Sequence, residues 1–239
     1  MHVTPNKLAG QSLRRVPIHG ICGYAPGNIP AYSNGMGATI TAERHYERHY
    51  FMGYKWQCVE FARRWLFYRK GLALPQYDFA AHLIYLREVR DVCTGAAVPC
   101  RFIPQGSTEP PEADSLIIYP GCRKNIVGHV GVITHVTSTS VQVADQNRFF
   151  HHWGDNSFSA EFPLECVEDR YYIRDPDAVE CRGWIVFPGQ PNRLDGRPLQ
   201  LEPHMSGPPS LPCARRVAYV VQQLWSWCTG REIPTFSPL

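Results

Sequence analysis

Long apolar runs are missing from this chain. No stretch approaches 18 apolar residues, and the longest candidate, Val217 to Trp227, is short and broken by Gln222-Gln223. A spanning helix needs about 20 such residues, so no transmembrane segment is expected. A dense basic stripe is also missing. The formal net charge is only +3, and nucleic acid is not an expected partner. The N-terminus is polar, with Lys7 and Arg14-Arg15, and no apolar h-region precedes Pro17. A signal peptide is therefore not expected, and a cytoplasmic location is. Cysteine is plentiful at nine, but the number is odd and no CxxC pair occurs. With 239 residues and 44% hydrophobic content, the chain can bury a core without disulfides, so a reducing compartment is expected. Cys93 and Cys100 are not spaced as zinc ligands, and His151-His152 is an isolated doublet. No metal is expected.

Charge is distributed unevenly. Residues 1–70 carry ten Lys/Arg against three Asp/Glu, whereas residues 155–180 carry eight acids against Arg170 and Arg174. A solvated face is the ordinary meaning of such a run. Two faces of opposite sign are the alternative.

Periodicity divides the chain. Residues 1–37 read as irregular, with Gly, Pro and Asn at turn-like spacing. A helix is expected from about Gln57 to Arg69, because Phe61, Ala62, Trp65 and Leu66 extend the face that begins at Cys58. Arg63 and Arg64 are expected to project elsewhere, Glu60 and Arg64 to pair at i,i+4, and Gly71 to end the helix. A second short helix is expected over Ala80 to Val89. Strands are expected at 116–119, 127–134, 140–145 and 183–188, with 127–134 and 140–145 forming an antiparallel hairpin. Helices followed by an antiparallel sheet define an α+β class. The expected domain is residues 1–190. Residues 191–239 contain eight prolines and read as a tail with one amphipathic segment, about Ala214 to Trp227.

The chemistry centres on Cys58. Gly53-Tyr54-Lys55-Trp56-Gln57 runs into it, and the helix follows at once. A thiol on the first turn of a helix meets unpaired backbone N–H groups and the positive end of the dipole, which favour thiolate. His129 lies on a strand whose alternation puts His129, Gly131, Ile133 and His135 on one face. Asp145 ends the neighbouring strand and is placed to fix the imidazole tautomer. Taken singly, each residue has a plain explanation: a core cysteine, a strand histidine, an acid that caps the Asp145-Gln146-Asn147 turn. Together, and in this order, they have the layout of a papain-type nucleophile. The Cys58 backbone N–H, with one further donor, is the expected oxyanion hole.

Several separated motifs then agree. Trp56-Gln57-Cys58-Val59-Glu60-Phe61-Ala62-Arg63-Arg64-Trp65 resembles the nucleophile region of CHAP domains, in particular the amidase domains of glutathionylspermidine and trypanothione synthetases/amidases. Ala31-Tyr32-Ser33-Asn34-Gly35, Gly128-His129-Val130-Gly131-Val132-Ile133, Val143-Ala144-Asp145-Gln146-Asn147 and Gly183-Trp184-Ile185 are similar to the same family, and the resemblance covers about residues 18–190. It implies a papain-like fold of NlpC/P60 type with N-terminal helices and an antiparallel sheet. It implies Cys58 as nucleophile, His129 as base and Asp145 as orienter. It also implies substrate contacts from Gln57, Arg63 (toward the glutathionyl part) and Asn147. The implied substrate is a small glutathione–polyamine conjugate, and no cofactor is implied. A CHAP peptidoglycan amidase or endopeptidase and a catalytically silent CHAP-like binding protein stay open as alternatives. The bifunctional relatives carry an ATP-grasp synthetase domain after the amidase. Here only residues 191–239 follow, so ATP-driven ligation is not expected. The tail is a candidate to contact the cleft intramolecularly.

Overall fold

The computed structural model describes residues 15–35, 42–77, 79–121, 126–176 and 180–192. In chain order the elements are β1 (Ile21–Ala25), β2 (Ile29–Tyr32), β3 (Arg44–Glu47), β4 (Tyr50–Tyr54), α1 (Cys58–Lys70), β5 (Leu72–Ala73), a 3₁₀ turn (Ala80–Tyr85), β6 (Glu88–Asp91), β7 (Ala97–Pro99), β8 (Arg101–Pro104), β9 (Ser115–Tyr119), β10 (His129–Val136), β11 (Ser140–Ala144), β12 (Ala160–Val167), β13 (Arg170–Ile173) and β14 (Gly183–Val186). Seven strands form one curled sheet in the order β13-β12-β11-β10-β9-β14-β8, and every neighbouring pair is antiparallel.

Both faces of the sheet's centre are covered. Leu116, Ile118, Val130, Val132, Ala144 and Ile185 join the cluster that holds Phe61, Ala62, Trp65 and Leu66 of α1. Ile117, Ile133, Val143, Trp184 and Val186 form a second cluster with Phe162, Leu164 and Ile173. This explains the unbroken apolar run of β9, buried at all five positions, where a half-exposed strand would alternate. Each fully buried large side chain here contributes about 1.5–3 kcal/mol through its lost water contact. Helix α1 starts at Cys58, carries Glu60 in its first turn and Arg69 and Lys70 in its last, and stops at Gly71 in the left-handed conformation. That charge order suits the helix dipole. At the far end of α1 from Cys58, Lys70 Nζ donates to the Gln190 carbonyl at 3.0 Å and to Asn192 Oδ1 at 3.3 Å.

Several expectations need correction. N-terminal helices are absent from the described residues: four strands precede α1. The Ala25-Pro26-Gly27-Asn28 stretch that reads as irregular is the turn of the β1–β2 hairpin, with Gly27 and Asn28 at positive φ. The expected helix at 80–89 is a 3₁₀ turn over 80–85, and residues 88–91 are a strand. Arg63 and Arg64, expected only to project away from the apolar face, are both buried. Within the acidic stretch 155–180, β12 turns Phe162 and Leu164 inward and Glu161 and Glu165 further out. The tail helix and the tail's contact with the cleft fall outside the described residues. Among the described residues, no helix is long and apolar enough to cross a membrane, and no group of side chains is arranged to hold a metal ion.

Candidate active site

The site is built where the start of α1 meets the ends of β10 and β11. Cys58 is the first helical residue. Its thiol lies within hydrogen-bonding reach of His129 and of the Val130 backbone N–H. His129 opens β10. Its Nε2 lies 2.8 Å from Asp145 Oδ2, which leaves Nδ1 as the ring nitrogen for the thiol. Asp145 follows directly on β11. The register places Val132 opposite Ala144, hence Gly131 opposite Asp145. A Cβ at Gly131 would sit 2.7 Å from Val143 Cγ1 and 3.3 Å from Asp145 Cβ. The glycine therefore makes room for the carboxylate to lean toward His129, two residues away on the same face.

The electrostatics follow from these contacts. Burial alone would push the Cys58 thiol up. The charge on His129, its hydrogen bond and the Val130 N–H outweigh burial and bring the thiol below its ordinary value of 9.0. Burial alone would lower His129, but the Cys58 thiolate and the Asp145 hydrogen bond raise it from 6.5 to about 9. Asp145 is held below its ordinary value despite burial, first by its hydrogen bond to His129 and that residue's charge, then by Arg148 and Ser159. Ser159 Oγ lies 2.6 Å from Asp145 Oδ1 and accepts from the Asp145 N–H at 3.1 Å. The arrangement is a thiolate–imidazolium pair with a carboxylate behind it, able to attack an electrophilic carbonyl and to return a proton to the leaving group.

A second buried network underlies the first. Glu60 is wholly buried. It meets His45 Nδ1 at 2.8 Å, Arg64 Nε at 2.7 Å and Gln146 Nε2 at 2.7 Å. Burying an isolated carboxylate costs several kcal/mol, and losing one partner of such a pair costs about 3–5 kcal/mol, so these contacts are what keep Glu60 ionised. Gln57 and Asn147, expected to touch substrate, are brought together: Asn147 Nδ2 donates to Gln57 Oε1 at 2.7 Å, and Asn34 Nδ2 donates to Asn147 Oδ1. Arg63 is placed otherwise. At 5% exposure it donates to the Met52 carbonyl at 3.4 Å and the Pro75 carbonyl at 2.9 Å.

Sequence reasoning passed over Ser159, His45 and Gln146. Only Gln146 had a signal, as the middle of the Asp145-Gln146-Asn147 motif. Ser159 and His45 are distant in the chain from the residues they serve and sit in no pattern.

This thiol–imidazole–carboxylate constellation, on a helix start and an antiparallel sheet, has a match among known families: residues 49–147 match the CHAP domain model, and the chain carries a CHAP domain. The chain is 44% identical to a trypanothione synthetase of Crithidia fasciculata over 86% of its own length and 32% of that protein. It is 34% identical to the bifunctional glutathionylspermidine synthetase/amidase of Escherichia coli over 74% of its length and 30% of that protein, and 31% identical to a glutathionylspermidine synthase of Crithidia fasciculata. The chain thus spans about a third of the length of the curated relatives it matches. The CHAP domain and these relatives support an amidase-type hydrolase.

Proposed function

We propose that this chain hydrolyses the amide bond between the glutathione glycine and the polyamine in glutathionylspermidine or trypanothione, through Cys58. The observation that carries the reading is His129 bonded at one nitrogen to Asp145 and close to the Cys58 thiol with the other. The Cys58 thiolate attacks the glycyl carbonyl, and the Cys58 N–H faces the oxygen that becomes negative. Nδ1 of His129 gives its proton to the departing amine. Water, deprotonated at the same nitrogen, then attacks the thioester; the C–S bond breaks, which restores the thiolate–imidazolium pair and releases the glutathionyl acid, which ionises in water. Asp145 holds the ring and its charge throughout. Gln57 and Asn147 act as a pre-formed polar pair beside the nucleophile. Arg63 reaches the glutathionyl part only by exchanging a protein carbonyl for a substrate carboxylate. A reduced, cytoplasmic setting suits a mechanism that needs the free thiol.

The test is release of spermidine from glutathionylspermidine by the reduced protein, beside Cys58→Ala. Trypanothione and a cross-linked peptidoglycan fragment serve as parallel substrates. Release of spermidine that disappears with the thiol is the expected result. Cleavage of peptidoglycan alone would replace the substrate, and no cleavage of any of the three would replace the enzyme with a binding role.

A further inference from the structure

Four hydrogen bonds converge on one side chain beside the site. Gln146 is 2% exposed. Its Oε1 accepts from the Tyr32 backbone N–H at 2.7 Å and from Arg64 Nη2 at 3.2 Å. Its Nε2 donates to Glu60 Oε2 at 2.7 Å and to the Gln57 carbonyl at 3.2 Å. A primary amide offers two acceptor sites and two donor hydrogens, so this one is filled. Its orientation is determined as well, because a reversed amide would set oxygen against the Glu60 carboxylate and the Gln57 carbonyl.

The partners come from separate parts of the fold. Tyr32 ends β2, Gln57 stands at the N-cap of α1, Glu60 lies in its first turn and Arg64 at its middle. Gln146 itself is bonded in sequence to Asp145, and Gln57 is bonded in sequence to Cys58. One side chain therefore ties the peptide next to the acid to the peptide next to the thiol. The Tyr32 ring stacks on Trp56 at 4.1 Å between centroids, which extends the same tie to the loop before Cys58. The residues at this junction are polar, so hydrogen bonds set its spacing where packing sets it elsewhere.

We propose that Gln146 is a positioning residue, which fixes the separation between the helix start bearing Cys58 and the strand end bearing Asp145, and through Asp145 the ring of His129. This rests on the proposed reading of Cys58, His129 and Asp145 as the reacting group. The attraction within the thiolate–imidazolium pair falls with distance, and a misplacement of about 1 Å can cost about 100-fold in rate. Gln146 thus acts on the ionisation of Cys58 without touching substrate.

The experiment is iodoacetamide labelling of Cys58, followed by peptide mass, in the full chain and two variants. Gln146→Glu keeps the shape and both accepting contacts but turns a carboxylate toward Glu60 and the Gln57 carbonyl. Gln146→Asn keeps the amide but shortens its reach. At about pH 6.5, where an ordinary thiol is protonated, both variants are expected to label about tenfold or more slowly than the parent. At about pH 10, where an ordinary thiol is ionised, they are expected to label within about twofold of it. Variants that melt earlier but keep the parent's ratio of the two rates would overturn the proposal and leave a structural role. Failure of both variants to fold would overturn it too, by making Gln146 a residue of the fold. A parent protein with no enhanced labelling at the lower pH would instead remove the reading of the site on which this one rests.

Discussion

Cys22 on β1 and Cys58 at the head of α1 share one hydrophobic cluster, at 3% and 6% exposure, and carry opposite chemistry. Burial pushes the Cys22 thiol up to about 12, and the charge on Asp145 adds to it. Burial pushes in the same direction at Cys58, and Asp145 again opposes the thiolate, yet that thiol ends below its ordinary value. What differs is His129 and the Val130 N–H, present at one position and not among the influences on the other. A buried cysteine is inert by default, and on the proposed reading it is the cation and donors beside Cys58 that make it reactive. Cys100 and Cys181 behave as Cys22 does, raised by burial to about 11 and about 12.

Removing His129 should make Cys58 a second Cys22. His129→Ala is expected to lift the Cys58 thiol above its ordinary value and to lower kcat/KM for the conjugate by about 1,000-fold or more, as Cys58→Ala does by removing the nucleophile. Activity within tenfold of the parent in either variant would break the comparison.

Asp145→Asn acts on both thiols at once. It removes the carboxylate that holds His129 high, so the alkaline limb of kcat/KM should move below about 9, with a rate loss of about 100-fold or more. The same change removes a charge that raises Cys22, so the Cys22 thiol should titrate lower than in the parent. Thiol labelling followed peptide by peptide reads the two shifts together.

In the parent, the active pair needs thiolate and imidazolium, so kcat/KM should rise below the ordinary thiol value and fall near about 9, as macroscopic values of the pair. Stability has its own sign. The folded-state value of His129 is raised from 6.5 to about 9, so its contribution is complete below about 6.5 and is lost as pH rises through about 9. Asp145 is lowered, so its contribution is lost as pH falls through its folded value. Denaturant midpoints measured from neutral to alkaline pH should therefore decline, and more steeply in the parent than in His129→Ala.

The smaller effects are on packing. Gly131→Ala places a Cβ 2.7 Å from Val143 Cγ1, which should cost about 1–3 kcal/mol and loosen Asp145. Cys22→Ala should cost about 1 kcal/mol and leave kcat/KM within about twofold, since an un-ionised core thiol takes no part in the reaction. A large loss of activity from Cys22→Ala, with the fold intact, would mean that the two cysteines are less distinct than their surroundings make them.

The sequence shows the site better than the fold that surrounds it. Cys58, His129 and Asp145 stand out because each has a local signature: a loop running into an amphipathic helix, a histidine between glycines, an acid at a strand end. Helix α1, β9, β10, β11 and β14 are legible from periodicity to within a few residues. The short hairpins β1–β2 and β3–β4 are not, because their Gly, Pro and Asn content reads as loop when the pairing that satisfies the backbone is out of view. The Glu60–Arg64 pair has the right spacing, but spacing cannot tell a surface pair from a buried one. Its partners His45 and Gln146 come from β3 and from the end of β11. Ser159, brought to Asp145 by the run-in to β12, depends on that tertiary placement too.

The most direct measurement is an ultraviolet thiolate titration of the reduced protein minus that of Cys58→Ala. The difference isolates one sulfur among nine cysteines. A thiolate signal that develops below the ordinary value of 9.0, and that moves above it in His129→Ala, is the predicted result. A difference signal that appears only above 9.0 would contradict it, and would put Cys58 in the same class as Cys22.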